Sequence, residues 1–483
     1  MQKKHKKTYR VGRVALVVMC LFGMSVSAKD SKTVDQGQTP SLANTSAEQV
    51  ALLIGSDVYR ALRSDIQVYK ADIEARFPVQ LHIVEGGWRR PDEVRATIKS
   101  LYTEKKIAGV ILVGALPMHH FFMHENPNPN PLYYEDFTLE FIDRDKDGVD
   151  DAYKGKLQLK IWVANIRSSE KAREDDIPGL HRFFAKTHDY YTGKVVPELR
   201  TLILSSEPVS SDWAGIGDWF KRKGAARFSA PGDVTLLEGK ACTRKSVLKA
   251  FEKHSYSLTC LALHSDETGH ALYDEDIIAS DLAEMKTGSL ITIAHACFAA
   301  NWTKNERDNN GPNCALSWVF GNHLGQTFIG NVRSGGAGFD EHIYERLRAG
   351  DYIGKAYLPC KQADEDLHAK GDQVPGDIVS GVLMIGNPFL TLKPVKRDMP
   401  GEARLVIKKA VYGDLANNSV FDVTQKVADW IEDSLKITAN NDDFGDHAEG
   451  IEKQMKVDYT LDGVEASEIV NENETLKIRP ARR

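Results

Sequence analysis

Past its first 28 residues this chain has no apolar run approaching the roughly 20 residues that a membrane-spanning helix needs, which argues against an integral membrane protein. It also has no surplus of basic charge. Its 62 Lys and Arg stand against 68 Asp and Glu, a net charge of −6, so no positive field gathers nucleic acid or anionic lipid. The Gly-x-Ser-x-Gly elbow of serine hydrolases is missing. No motif calls for a redox or organic cofactor, and nothing in the composition speaks to oligomeric state. Cysteine is scarce. Six occur in 483 residues, and only Cys242, Cys260, Cys297, Cys314 and Cys360 lie beyond residue 28. An odd number in an oxidising compartment leaves at least one thiol without an internal partner.

That compartment is indicated by residues 1–28. Lys3, Lys4, Lys6, Lys7, Arg10 and Arg13 make a basic start, Val14 to Phe22 an apolar stretch, and Val26-Ser27-Ala28 a small-residue cleavage site. Cys20 follows Met19, where a lipoprotein signal needs a small residue. The expectation is therefore an exported protein, secreted or held in the periplasm or at the surface of a bacterium. About 455 residues remain, enough for several domains. Residues 29–48 are polar and read as a disordered lead.

Apolar runs then alternate with helical periodicity. Val50 to Gly55 reads as a buried strand, Val79 to Val84 and Ala108 to Gly114 as the second and third strands, with helices over Val58 to Phe77 and from Pro91. This β-α-β-α-β order predicts a parallel sheet covered by helices. Asn126-Pro127-Asn128-Pro129-Asn130-Pro131 reads as a loop unable to continue helix or strand. A helix from Glu170 to about Tyr191 leads into a second series, with strands at Thr201 to Ser205, Val234 to Leu237, Leu258 to His264, Leu290 to His295 and Gln326 to Gly330. The expectation is two doubly wound halves side by side and not one long sheet. From about Val395, short strand-like runs separated by Asn, Asp and Gly turns predict a small β-sandwich.

Two of these strands end on residues able to do covalent chemistry. Ser257-Leu258-Thr259-Cys260-Leu261-Ala262-Leu263 runs into His264, and Ser289-Leu290-Ile291-Thr292-Ile293-Ala294-His295-Ala296 runs into Cys297. Open α/β sheets place ligands at the carboxyl ends of their strands, and a thiol beside an imidazole is a nucleophile with its base. Phe298-Ala299-Ala300-Asn301-Trp302 is expected to open a helix whose N-terminus favours the thiolate. Three histidines compete as base. His295 is about 6.6 Å along its own strand from Cys297, His270 needs an ordered loop, and His264 comes directly off a neighbouring strand. Geometry favours His264.

The order of these blocks resembles the clan CD cysteine peptidases, and within them the gingipain family. There one apolar run ends in His-Gly and a second in Ala-Cys. Ala296-Cys297 fits the second block, His264-Ser265-Asp266-Glu267-Thr268 looks like the first, and Cys297 follows His264 by 33 residues, as in that family. Tyr133-Tyr134-Glu135-Asp136 looks like its inter-subdomain linker, and Ile385-Gly386-Asn387-Pro388 like the turn closing its peptidase domain. The resemblance covers about residues 49–394. It implies an α/β fold of two caspase-like doubly wound subdomains, 49–165 and 166–394, followed by a small all-β C-terminal domain over 395–483.

The resemblance also implies an activity, cleavage of polypeptide substrates by a cysteine endopeptidase. Cys297 attacks the carbonyl, His264 protonates the leaving amine, and the amides of Ser265 and Cys297 hold the oxyanion. Glu207 is a candidate to orient His264, and Asp218, or Asp212 beside it, to receive a basic P1 side chain. The glycines of Arg333-Ser334-Gly335-Gly336-Ala337-Gly338 suit a wall along the substrate backbone. One residue departs from the pattern. Ser265 stands where the family has glycine, and a backbone needing positive φ there would distort the oxyanion site. The alternative reading is a catalytically inactive binding or adhesion protein.

A separate motif lies in Asp143-Arg144-Asp145-Lys146-Asp147-Gly148-Val149-Asp150-Asp151. Oxygen ligands from Asp143, Asp145, Asp147 and Asp151, with glycine at the sixth position, suit a structural Ca²⁺. Lys154 occupies the twelfth position, where an EF-hand loop has a bidentate Glu, so this is a shorter loop or one completed from elsewhere.

Overall fold

Val50-Ala51-Leu52-Leu53-Ile54 has no polar residue to turn outward, and a strand with two apolar faces has to lie between two layers. The computed structural model bears this out. It describes residues 47–123, 126–169, 175–206, 233–303, 312–334, 342–368, 381–392, 405–428, 435–446, 450–461 and 464–478. In strand β1 (Glu48–Gly55), Val50, Leu52 and Ile54 pack with Leu62 and Ile66 of the helix Ser56–Glu74. Ala51 and Leu53 face the other way, onto Val94 and Ile98 of the helix Pro91–Lys105. Alternate residues thus feed two separate cores, as the period of a strand requires.

Strands β2 (Val79–Gly86) and β3 (Gly109–Val113) flank β1 in parallel. The chain then leaves the sheet for two small ribbons: β4 (His120–Met123) with β5 (Asn126–Pro129), and β6 (Glu140–Ile142) with β7 (Ala152–Lys154). It returns in β8 (Trp162–Ile166), passes through the helix Ile177–Tyr191, and builds the second series. That series is β9 (Thr201–Ser205), β10 (Val234–Glu238), β11 (Tyr256–Ala262), the short pair β12 (Gly269–His270) and β13 (Ile277–Ile278), β14 (Ser289–His295) and β15 (Thr327–Asn331). Strand β16 (Val382–Gly386) closes it.

The α/β class and the order of parts are as expected, but the halves are not separate sheets. One ten-stranded sheet runs β10-β9-β11-β14-β15-β16-β8-β3-β1-β2. β16 joins its halves, pairing antiparallel with β15 and parallel with β8, so the two parallel sets run in opposite directions. The joint is tightly made. At Gly386 (φ +103°) a Cβ would stand 1.9 Å from the Gln326 carbonyl, so only glycine fits. Next to it the buried Asn387 accepts from the Tyr69 hydroxyl at 2.8 Å and donates to the Tyr191 hydroxyl at 3.0 Å, tying one helix from each half to the seam.

The Asn-Pro repeat is likewise not a loop. Asn126–Pro129 pairs antiparallel with His120–Met123 as β5. Residues two apart point their amides to the same edge of a strand, so prolines at 127 and 129 both sit where a two-stranded ribbon needs no donor. The C-terminal part has its own core. β17 (Leu405–Asp414), β18 (Ser419–Asp422), β20 (Gln454–Leu461) and β21 (Val464–Asn471) form an antiparallel sheet, and β19 (Leu435–Thr438) pairs with β22 (Thr475–Ile478). Tyr412, Met455 and Val457 from the first meet Ile437, Leu476 and Ile478 from the second. Among the described residues no helix is long and apolar enough to cross a membrane.

Among the described residues one ion pair lies wholly inside. Lys361 Nζ donates to Glu135 Oε2 at 2.5 Å, and both side chains are almost completely shielded from solvent. Replacing one partner leaves the other charge buried and unmatched. Lys361→Met should therefore cost about 3–5 kcal/mol, and Lys361→Met with Glu135→Leu should recover most of that. Urea unfolding of the three proteins measures both.

Candidate active site

The ladder between β11 and β14 is parallel and runs from Tyr256↔Ser289 to Ala262↔His295. His264 follows Ala262 by two residues, and Cys297 follows His295 by two. Neighbouring strands lie about 4.8 Å apart, so the chain reaches His264 and Cys297 at equal offsets from the last pair of the ladder, on adjacent strand ends. His264 is exposed and Cys297 half-buried. Cys297 Sγ is 3.9 Å from the hydroxyl of Ser334, which follows the neighbouring strand β15.

The other histidines are placed differently. His295 is still within β14, opposite Ala262. His270 is buried with both ring nitrogens engaged, Nδ1 2.7 Å from Ser265 Oγ and Nε2 accepting from Trp318 Nε1 at 2.9 Å. Burial pushes its imidazole down to about 4. Neither is placed as His264 is.

The backbone after His264 is closed into a tight loop. The His264 carbonyl accepts from the Ala271 amide at 2.8 Å, and Asp266 N donates to the Gly269 carbonyl at 3.1 Å. Asp266 Oδ1 caps the turn by accepting from the amides of Thr268 and Gly269 at 2.7 and 3.0 Å. Gly269 is required because a Cβ there would meet the Ile277 carbonyl at 2.7 Å, where β13 crosses. Ser265 does not have a positive φ. Its amide is carried without the strain that a glycine-specific conformation would impose.

After Cys297 the expected helix does not form. Phe298 adopts a left-handed conformation (φ +52°), which a bulky side chain takes only when its surroundings impose it. Here the imposing contacts lie on the extension of β15: the amides of Phe298 and Ala300 donate to the carbonyls of Arg333 and Asn331, each at 2.9 Å. Those amides are committed to the neighbouring segment. No helix N-terminus from 298–302 faces the thiol.

Several residues that hold this edge together were not singled out from the sequence. Asn313 caps the helix Cys314–Phe320, accepting from Leu316 N at 3.0 Å, while its Nδ2 donates to the carbonyls of Asn301 (3.0 Å) and Glu267 (3.2 Å). The single S–H of Cys314 is shared between the carbonyls of Ala299 (3.3 Å) and Asp266 (3.5 Å). One helix start thus fastens the loop after His264 to the loop after Cys297. Asn301 Nδ2 also donates to Asn128 Oδ1 at 2.8 Å, both buried, which pins the Asn-Pro ribbon against the cysteine loop. An asparagine before a short apolar helical run is a cap signal, the one sign that pointed to Asn313. Glu207, Asp212 and Asp218 lie outside the described residues, as do residues 335–338 of the glycine wall.

In the acidic loop, carboxylate oxygens of Asp143, Asp145 and Asp147 lie within 4.8 Å of one another. Asp151 is not with them. Its carboxylate takes Arg144 Nε at 3.1 and 3.2 Å, and Asp150 takes His119 Nε2 at 2.7 Å. Three convergent hard oxygens suit a calcium ion in charge and ligand type. The backbone around them is already folded inward, with Asp143 Oδ2 accepting from Gly148 N at 2.8 Å.

No family model matches this chain, and no curated protein does. A solved structure described as a protease is similar in fold, with a TM-score of 0.53 at 10% identity over 89% of this chain and 98% of that one. The lac repressor bound to ONPG and the glucose-galactose binding protein GanP from Geobacillus stearothermophilus align only with TM-scores of 0.16 and carry no argument.

None of the five cysteines beyond residue 28 is in a disulfide, and four of them are buried. Burial pushes the thiols of Cys242 and Cys260 up to about 12, and that of Cys314 up as well. Iodoacetamide at neutral pH should therefore modify Cys297 alone in the native protein and all five only after denaturation, as read by peptide mass spectrometry. Acid should act through the buried imidazoles. His270 and His323 titrate at about 4 and about 3 when folded, against 6.5 when free. The unfolded chain takes up their protons first, so stability is complete above pH 6.5 and falls progressively toward pH 4. Urea midpoints across that range test the direction.

Proposed function

We propose that this protein is an exported cysteine endopeptidase of the gingipain-like type, acting on polypeptides through Cys297 and His264. The observation that carries the reading is the register of β11 with β14, which sets the two residues at equal offsets on adjacent strand ends. The likeness in fold to a structure described as a protease supports it. The Cys297 thiolate attacks the scissile carbonyl, and the developing oxyanion is held by the amides of Ser265 and Cys297. His264 gives its proton to the leaving amine as the C–N bond breaks and a thioester forms. Water, deprotonated by His264, then releases the acyl group and restores the thiolate. Glu207 orients the imidazole and Asp218 receives a basic P1 side chain. The residue pair makes this chemistry available without a redox or organic cofactor.

The loop Asp143–Asp147 holds a structural Ca²⁺ in the same reading, with Asp143, Asp145 and Asp147 as its carboxylate ligands. Residues 1–28 direct export, and the C-terminal β domain is an accessory module.

Two experiments test these proposals. A fluorogenic peptide panel with reductant and calcium should be cleaved by the wild type, with kcat/KM at least roughly 10³-fold lower for Cys297→Ala and about 10²–10⁴-fold lower for His264→Ala. An inactive wild type, or equal cleavage by Cys297→Ala, would sink the peptidase claim and leave the binding-protein alternative. Calcium at 100 times its Kd should add about 2.7 kcal/mol of stability, seen as a rise in Tm that Asp143→Asn with Asp145→Asn removes. An unchanged Tm would sink the calcium site.

A further inference from the structure

The residue after His264 is a serine with a defined partner, and the hydrogen-bond chemistry of that partner has only one direction. Trp318 Nε1 carries a hydrogen and can only donate, and it points at His270 Nε2 from 2.9 Å. His270 Nε2 must therefore offer its lone pair. A neutral imidazole with a bare Nε2 carries its hydrogen on Nδ1, and Nδ1 lies 2.7 Å from Ser265 Oγ. The hydroxyl of Ser265 accordingly accepts. The chain runs Trp318 to His270 to Ser265 with every donor aimed toward the edge of the sheet.

Its root is rigid. Trp318 and His270 are buried, and Trp318 stands one turn after Cys314 on the helix whose start fastens both active-site loops. Its tip is half-buried Ser265, which also pairs through its backbone with His270 across the loop.

We propose that His270 is a positioning residue. Held in its Nδ1–H form by Trp318, it grips the Ser265 hydroxyl and fixes the His264–Ser265 peptide, so that the Ser265 amide stays aimed at the oxyanion. This rests on the peptidase reading given above and assigns a reason for serine at this place: the hydroxyl supplies the acceptor that the buried Nδ1–H needs. A glycine or alanine at 265 would leave that donor buried without a partner, a costly state for a polar group, and would release the loop. A loosely held oxyanion donor lowers the rate of the chemical step more than substrate binding.

The test has one arm without catalysis and one with it. In ¹⁵N-histidine-labelled wild-type protein, the His270 ring should show the Nδ1–H tautomer, and an Nε2–H tautomer overturns the proposal. On fluorogenic peptides, with rates normalised to the Cys297 active-site titre, Ser265→Ala should lower kcat roughly 10–100-fold with KM within about twofold. Ser265→Thr, which keeps the hydroxyl, should retain most of the wild-type kcat, and Ser265→Gly should do no better than alanine. Trp318→Phe should let the tautomer relax and lower kcat in the same direction. If Ser265→Ala or Ser265→Gly turns over as fast as an active wild type, His270 has no positioning role and the peptidase reading stands. If the wild type itself does not turn over while the Nδ1–H tautomer is present, the peptidase reading falls and takes the catalytic consequence with it.

Discussion

Everything at the candidate site depends on the register between β11 and β14. A slip of one residue would send every side chain of one strand to the opposite face and would carry His264 and Cys297 out of level. Yet both strands are buried on both faces, so no alternation of exposed polar and buried apolar residues selects their alignment. The selection comes from outside the ladder. At one end the Tyr256 amide is tied to the Gly288 carbonyl, and at the other Asn313 and Cys314 bind the carbonyls of both departing loops. The loops that carry His264 and Cys297 are thus held by a buried asparagine and a buried cysteine.

The same principle holds at the scale of the whole sheet. Two parallel sets that run in opposite directions can share one sheet only if a strand lies antiparallel to one of them, and β16 does this. Its cost is a crowded corner, met by Gly386 and by Asn387, whose amide satisfies two buried tyrosine hydroxyls from two helices. The cysteine loop is then braced from the N-terminal half by the Asn128–Asn301 contact. The site therefore draws on both halves of the chain.

Much of the sheet is legible because strands buried on both faces are mostly apolar runs, as in β1, β3, β9, β11, β14 and β15, while the edge strands β2 and β10 show shorter apolar stretches. Four features were not legible, each for a physical reason. Val382–Gly386 is as apolar as the others, but direction within a sheet leaves no trace in composition. The Asn-Pro ribbon defies propensity because its prolines share an edge that needs no donor. The stretch after Cys297 has helix-compatible residues, and its amides are claimed instead by Arg333 and Asn331. Asp151 belongs to the acidic motif by spacing, yet a nearby arginine takes its carboxylate.

The sequence by itself determined the α/β class, the separate β-rich end, and which histidine and cysteine come just after two buried strands. Those follow from local rules: apolar runs, period and turn chemistry. Only the tertiary structure decided that the two strands are neighbours in register, that the halves merge through β16, and that Ser265 keeps an unstrained backbone while its hydroxyl takes His270. These depend on contacts between residues far apart in the chain, such as Asn128 with Asn301 and Cys314 with Asp266, and no window of local sequence contains both partners.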